Sequence, residues 1–328
     1  MTKVAVLGAG SWGTTLAVHL VQAGHEATLW GNVIADLEQI AGERENRKFL
    51  PGIHLPDGVK VRSELEAALD GAEVVLFVVP SQAVREVAIR VRGAGGSSVP
   101  VIASKGLEQG SMRRLSEVVT EALGDPAPVV LTGPSHAEEV SVGIPTSVVV
   151  ASADAARARM VQVLCSTSRF RVYTNADVVG CETAAALKNV IALAAGVCDG
   201  IGFGDNTKGA LLTRGLAEIA RLGVAVGGKR ETFYGLAGMG DLIATATSRH
   251  SRNRGVGERL GRGETLEAVL GTMVMVAEGV FTAQAARDLG RRHGVELPIT
   301  EQVCEMLFEG RAPRMALEAL MKRGLKDE

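Results

Sequence analysis

Aromatic residues make up only 3% of the 328-residue chain, so any core must rest on Val, Leu, Ile and Ala. Cysteine is scarce as well. Cys165, Cys181, Cys198 and Cys304 are widely spaced and form no C-x-x-C pair. A chain of this length needs no covalent staples, so four scattered thiols read as free cysteines of a reducing compartment. The six histidines (His19, His25, His54, His136, His250, His293) form no H-x-x-x-H pair, and no metal site is indicated. Charge of one sign is missing too: 35 basic residues stand against 37 acidic ones, a formal net charge of -2. That balance supplies no general attraction to nucleic acid or to an acidic membrane. Nor is there a long hydrophobic run. The most apolar stretch, 184–198, is interrupted by Lys188 and Asn189 and is too short to span a bilayer. A strand pattern starts at Lys3, so no signal peptide is expected and the cytoplasm is the expected location.

What is present has ordinary globular composition, with 46% apolar and 22% charged residues, and a length comfortable for two domains. The first half alternates Val-rich runs (4–8, 26–30, 73–79, 99–104, 128–133, 146–152) with amphipathic stretches (14–23, 83–92, 112–123). Runs apolar on both faces suit buried parallel strands, and strand–helix alternation predicts a doubly wound α/β sheet. Residues 170–174 read as one last strand. After about Asp177 the strand signals stop and the pattern becomes helical and Ala-rich, with breaks at Gly227-Gly228, Gly238, Gly261 and Pro298. The fold expected is α/β, an N-terminal Rossmann-type doubly wound sheet (1–180) with an all-helical C-terminal domain (181–328). No Pro/Ser/Gly-rich linker separates the halves, so a long helix is expected at the boundary.

Gly8-Ala9-Gly10-Ser11-Trp12-Gly13 is a G-x-G-x-x-G placed after the first strand and opening a helix. Gly8 permits the tight turn, Gly10 lets a pyrophosphate approach the backbone, and Gly13 lets the helix pack on the strand. The exposed N–H groups and the positive helix end then receive the diphosphate. The second strand ends in Trp30-Gly31-Asn32-Val33. It offers neither the Asp or Glu that binds a ribose 2′-hydroxyl in NAD enzymes nor the Arg that accepts a 2′-phosphate in NADP enzymes. Asn32 can bond either group, so the cofactor is read as NAD or NADP. Trp30 either flanks the adenosine or caps the sheet as a buried side chain. Val78-Val79-Pro80-Ser81-Gln82 sits where a turn would line the cofactor, and Pro80 also serves as a strand stop.

Polar clusters interrupt the apolar pattern at Ser104-Lys105-Gly106, Gly133-Pro134-Ser135-His136-Ala137, Leu187-Lys188-Asn189, Gly238-Met239-Gly240-Asp241 and Ser251-Arg252-Asn253-Arg254. Lys105, Gly133 and Ser135 follow the carboxyl ends of strands, where open α/β sheets bind ligands. Lys188 stands inside an Ala/Leu/Val helix, where a cation is costly unless it is paired or functional. Together with Phe49-Leu50-Pro51-Gly52, Gly202-Phe203-Gly204-Asp205-Asn206, Gly235-Leu236-Ala237-Gly238 and Glu278-Gly279, these clusters run in order over nearly the whole chain. In that order the sequence resembles the NAD(P)-dependent sn-glycerol-3-phosphate dehydrogenase family.

The resemblance implies an oxidoreductase that interconverts dihydroxyacetone phosphate and glycerol 3-phosphate and supplies phospholipid synthesis. It implies Lys188 as general acid/base, with Asp241 orienting it through a salt bridge; Asp241 read alone suits a helix N-cap. It assigns the substrate to Lys105, Gly133, Ser135, Lys188, Asn189, Asp241, Ser251, Arg252 and Asn253. The cofactor cleft is completed by Ser11, Trp12, Asn32, Lys105, Ala137, Arg252, Val276 and Glu278. A phosphate dianion calls for a guanidinium fork with amide and hydroxyl donors, which Ser251-Arg252-Asn253 supplies; without the family the same triplet reads as a solvated charge run. Two departures stand out. Many relatives carry His-Arg or Arg-Asp where this chain has Asn32-Val33, which leans the cofactor toward NAD alongside or above NADP. The residues before Lys188, 180–185, differ from the family pattern but remain small; Cys181 and Cys198 read as packing residues. The partner expected is a small phosphorylated molecule, and the apolar second half is compatible with a homodimer.

Two other readings compete. A hydroxyacyl thioester or hydroxy-acid dehydrogenase shares the architecture, but residues 178–199 offer no His for the expected His–Glu pair. A non-catalytic dinucleotide sensor would leave Lys188, Asp241 and Arg252-Asn253 without a purpose.

Overall fold

The Val-rich runs become strands of one eight-stranded sheet in this computed structural model, which describes residues 1–95 and 98–324. The strands are β1 (Lys3–Leu7), β2 (Glu26–Trp30), β3 (Glu45–Asn46), β4 (Leu50–His54), β5 (Val59–Arg62), β6 (Val74–Phe77), β7 (Val99–Ile102), β8 (Val129–Thr132), β9 (Thr146–Ala151) and β10 (Phe170–Asn175). The sheet order is β10-β9-β8-β7-β6-β1-β2-β5, with β3 and β4 forming a separate two-stranded pair. Successive side chains point to opposite faces of a strand. Val4, Val6, Leu29, Leu76 and Val101 therefore pack on one side, and Ala5, Leu7, Trp30, Val75, Phe77 and Ile102 on the other. Helices cover both faces, which is why these runs read as continuously apolar.

Besides the small β3–β4 pair, two features of the main sheet depart from the sequence expectation. β5 was not anticipated: Val-Lys-Val-Arg is an edge strand with only Val59 buried, and its cations face solvent beside β2. β9 pairs antiparallel with β8, so the sheet is not wholly parallel. The connection 133–145 holds only the four-residue helix Ala137–Val140, and it turns back at the end where β8 stops. β10 is parallel to β9, and both run against β1, β6, β7 and β8. The chain consequently leaves β10 at the opposite end of the sheet. It must recross the sheet to reach the carboxyl ends of the other strands.

The helix Val178–Ile201 makes that crossing. Asp177 starts it by accepting the Gly180 N–H at 2.8 Å, and Gly202, with φ of 86°, ends it. Its first turns pack Cys181 against the sheet, whereas Leu187, Val190, Ile191 and Leu193 belong to the helical core. The helix extends beyond the apolar stretch 184–198 at both ends. Its 24 residues would suffice to cross a membrane by length and composition, but 83% of its apolar window is buried inside the protein, as in a core helix.

Arg252–Gly261 is the second helix that fixes the site. A Cβ on Gly196 would lie 1.9 Å from the Arg254 carbonyl oxygen, and one on Gly257 2.0 Å from that of Leu193. Gly200 and Gly261 make equivalent approaches to Glu258 and Val197. The two helices therefore meet backbone to backbone, and this contact sets the position of Arg252 and Asn253 relative to Lys188 and Asn189.

Candidate active site

A cleft lies along the carboxyl ends of β1, β2, β6 and β7 and is closed on its far side by helices of the second half. The fingerprint glycines divide their work as the motif requires. Gly8 has φ of 127°, and a Cβ there would sit 2.5 Å from the Val78 carbonyl oxygen. A Cβ on Gly13 would meet the Gly8 carbonyl at 1.8 Å, so Gly13 serves helix–strand packing and lies behind the cleft wall. Gly10 has nothing within 4 Å of where its Cβ would be, leaving an open cradle at the start of the helix Ser11–Gln22. This chain's backbone thus fits a dinucleotide diphosphate.

Ser11, Trp12, Asn32, Lys105, Ser135, Ala137, Lys188, Asn189, Asp241, Ser251, Arg252, Asn253, Val276 and Glu278 all line this one cleft. Gly133 stands just behind it. Its φ is 127°, and its carbonyl accepts from Lys105 Nζ at 2.9 Å and from Ser135 Oγ at 3.1 Å. Trp30 is buried, with its indole N–H donated to the Ser63 carbonyl at 2.9 Å, which fits the sheet-capping reading.

At the centre, Asp241 bridges two ammoniums. Lys188 Nζ donates to Asp241 Oδ1 at 2.7 Å and to Thr245 Oγ1 at 2.6 Å, while Lys105 Nζ donates to Asp241 Oδ2 at 2.7 Å. Lys188 is 5% exposed and Asp241 2%. Asp241 is the first residue of the helix Asp241–Thr247, and its side chain makes no N-cap bond; both oxygens serve the lysines. Two cations share one anion in a desolvated pocket, and this excess governs the titration. Burial lowers the Lys188 ammonium to about 7, with Asp241 opposing the shift and Lys105 reinforcing it. Burial pushes the Asp241 carboxyl up, but the two ammoniums more than offset it and leave it below the ordinary aspartate value.

The rest of the cleft is held by further polar ties, one of which joins the two halves. Ser81 donates its N–H (2.8 Å) and Oγ (2.5 Å) to Glu278, the first residue of the helix Glu278–Arg292. Asn253 Nδ2 donates to Asn189 Oδ1 at 2.9 Å, and Asn253 Oδ1 accepts the Gly279 N–H at 2.8 Å, so Asn253 also locks neighbouring elements together. Ser251 caps the helix Arg252–Gly261 by accepting the Arg254 N–H at 3.2 Å. Arg252 lines the cleft, is exposed, and donates to the Val276 carbonyl at 2.9 Å. Among the described residues no group of three or more His, Cys, Asp or Glu suits a metal ion.

Sequence reasoning gave no individual role to four residues at the cleft. Thr245 stands four residues after Asp241, the spacing that puts two side chains on one helix face, and that signal was available. Ser81 belongs to the turn expected to line the cofactor, but it reaches Glu278 across 197 residues, and nothing local announces that partner. His136 and His250 also line the cleft, with ring centroids 6.2 Å apart. Burial holds the His136 ring below its ordinary value.

Comparison with known proteins agrees with this geometry. The family described as NAD-dependent glycerol-3-phosphate dehydrogenase N-terminus matches residues 3–158, and the one described as its C-terminus matches residues 177–318. A glycerol-3-phosphate dehydrogenase [NAD(P)+] of Desulfitobacterium hafniense is 52% identical over 329 residues, covering 100% of this chain and 93% of that protein. One of Geobacillus kaustophilus is 50% identical over 332 residues, covering 100% and 96%. The crystal structure of glycerol-3-phosphate dehydrogenase from Coxiella burnetii superposes with a TM-score of 0.95 at 37% identity, covering 98% of this chain and 99% of that one.

Proposed function

Since the chain belongs to the NAD-dependent glycerol-3-phosphate dehydrogenase family, we propose that Lys188 is its general acid/base, set by Asp241, and that the 251–253 triplet grips the substrate phosphate. The enzyme is an oxidoreductase that interconverts glycerol 3-phosphate and dihydroxyacetone phosphate with NAD(P). The observation that carries the assignment of roles is the Lys105–Asp241–Lys188 bridge, with two ammoniums on one buried carboxylate.

The nicotinamide, when bound, would supply a hydride to the ketone carbon or accept one from the carbinol carbon. In reduction, Lys188 Nζ donates a proton to the ketone oxygen as negative charge develops there. The surplus positive charge of the cluster stabilises that oxygen before the proton moves. Losing the proton leaves Lys105 and Asp241 as a balanced pair, so the neutral amine is tolerated in the pocket. In oxidation, the same amine takes the hydroxyl proton. Asp241 and Thr245 fix the direction of Nζ, and Asp241 prevents burial and Lys105 from lowering the ammonium further.

A value of about 7 predicts a break in both directions of turnover. Reduction requires the ammonium, so its kcat/KM is level below this pH and falls above it. Oxidation requires the amine, so its kcat/KM rises to this pH and then levels. Steady-state absorbance of the reduced nicotinamide from about pH 5.5 to 9 checks both. A straight course through neutrality in either direction removes Lys188 from the proton transfer.

Arg252 and Asn253 open their helix and line the cleft, so the first N–H groups of that helix and a guanidinium are the donors assigned to the phosphate dianion. Arg252→Ala is expected to raise KM for dihydroxyacetone phosphate, a loss on the order of 2–5 kcal/mol for a charge-assisted contact to an enclosed dianion. Initial-rate kinetics measure it; a change below about threefold, under 1 kcal/mol, contradicts the assignment. We also place the division between dinucleotide and substrate halves at 180/181, and the enzyme in the cytoplasm, supplying glycerophospholipid synthesis. Four free, buried cysteines suit a reducing compartment.

A further inference from the structure

Arg90 lies where the sequence offered no cation. It belongs to the helix Val84–Gly93, more than fifty residues from the end of β2, yet its Nη1 donates to Asn32 Oδ1 at 3.1 Å. Its guanidinium carbon stands 4.9 Å from the centroid of the Trp30 ring. Trp30 is itself immobilised by burial and by its bond to the Ser63 carbonyl, so the stack holds the guanidinium in a defined place. Arg90 is exposed, and among the described residues no carboxylate lies within ion-pair distance of it. Lys48, which lines this end of the cleft, is paired with Asp36 at 2.7 Å. Asn32 lines the cleft directly after β2, the position beside the adenosine ribose in dinucleotide-binding folds.

We infer that Arg90 selects the adenosine 2′-substituent by receiving the 2′-phosphate of the phosphorylated dinucleotide, with Asn32 as its support. Asn32 is a neutral acceptor that a phosphate dianion displaces readily, because the dianion adds Coulomb attraction and can accept both branches of the guanidinium fork. The absence of an Arg at 32–33 therefore does not exclude NADP. The cation comes from the next layer of helices and reaches the same point in space. The inference rests on the reading that this cleft holds a nicotinamide dinucleotide.

The test is direct binding, followed by the fluorescence of NADPH and NADH titrated with wild type, Arg90→Ala and Arg90→Lys. Arg90→Ala is expected to weaken NADPH at least tenfold and leave NADH within threefold, about 1.4 kcal/mol or more against less than 0.7. Arg90→Lys is expected to fall between, since a point charge lacks the fork. NADH binding doubles as the control for folding. NADPH affinity within threefold of wild type in Arg90→Ala overturns the inference, as does an equal loss for both dinucleotides. Wild type that binds neither dinucleotide would instead remove the functional reading on which the inference stands.

Discussion

Lys188→Met is expected to lower kcat for dihydroxyacetone phosphate reduction by on the order of 10²–10⁴, the usual worth of a positioned general acid. Dinucleotide affinity is expected to stay close to wild type, because the fingerprint loop and Glu278 are untouched. The fold is also expected to survive, for an electrostatic reason. Deleting one partner of a buried ion pair ordinarily strands a charge, at about 3–5 kcal/mol. Here Asp241 keeps Lys105 at 2.7 Å, so the variant holds one cation and one anion instead of two cations and one anion. Methionine refills much of the volume of the lost chain. Absorbance kinetics, reduced-nicotinamide fluorescence and a melting curve separate the three effects. A variant that still turns over within about tenfold of wild type would mean that a group other than Lys188 delivers the proton. His136 would be the first alternative, since it lines the same cleft and feels both lysines.

Much of the fold was legible because burial writes itself into composition. β1, β6 and β8 are covered on both faces and therefore appear as unbroken Val/Leu runs. β5 escaped because an edge strand with Lys60 and Arg62 facing water carries only two apolar residues. The direction of β9 was not legible at all. Its composition matches that of a parallel strand, and only the path of residues 133–145 over the cleft decides which way it runs. The site divides in the same manner. The glycine fingerprint and the cation inside an apolar helix are local anomalies, and each has a local physical cause. The Lys188 role came from resemblance to a family, since the residues alone said only that the charge needed a purpose. That Asp241 serves Lys105 and Lys188 at once joins positions separated by 136 and 53 residues, and no pattern along the chain encodes it. Arg90 is a sharper case. Residues 31–33 directly after β2 carry no cation, whereas the cation stands on another element.

Gly257→Ala and Gly255→Ala, two residues apart on one helix, are expected to shift stability in opposite directions. Alanine exceeds glycine in helix propensity by about 1 kcal/mol, so an unobstructed replacement stabilises. Gly255 has nothing within 4 Å of its missing Cβ, and Gly255→Ala should melt slightly above wild type. At Gly257 the added carbon would stand 2.0 Å from the Leu193 carbonyl oxygen and 2.9 Å from the Val197 nitrogen. Both are backbone atoms of a buried helix, so no flexible side-chain end can give way. The helices must separate, and an overpacked core costs about 1–3 kcal/mol or more, which outweighs the propensity gain. Separation also stretches the 2.9 Å bond between Asn253 and Asn189 and draws Arg252 away from the cleft. Gly257→Ala should therefore melt several degrees below wild type, at about 2–4 °C per kcal/mol for a protein of this size class. KM for dihydroxyacetone phosphate should rise with it, more than KM for the dinucleotide. Calorimetry with initial-rate kinetics on both variants decides the matter. If Gly257→Ala melts at or above wild type, close helix contact does not position the phosphate grip.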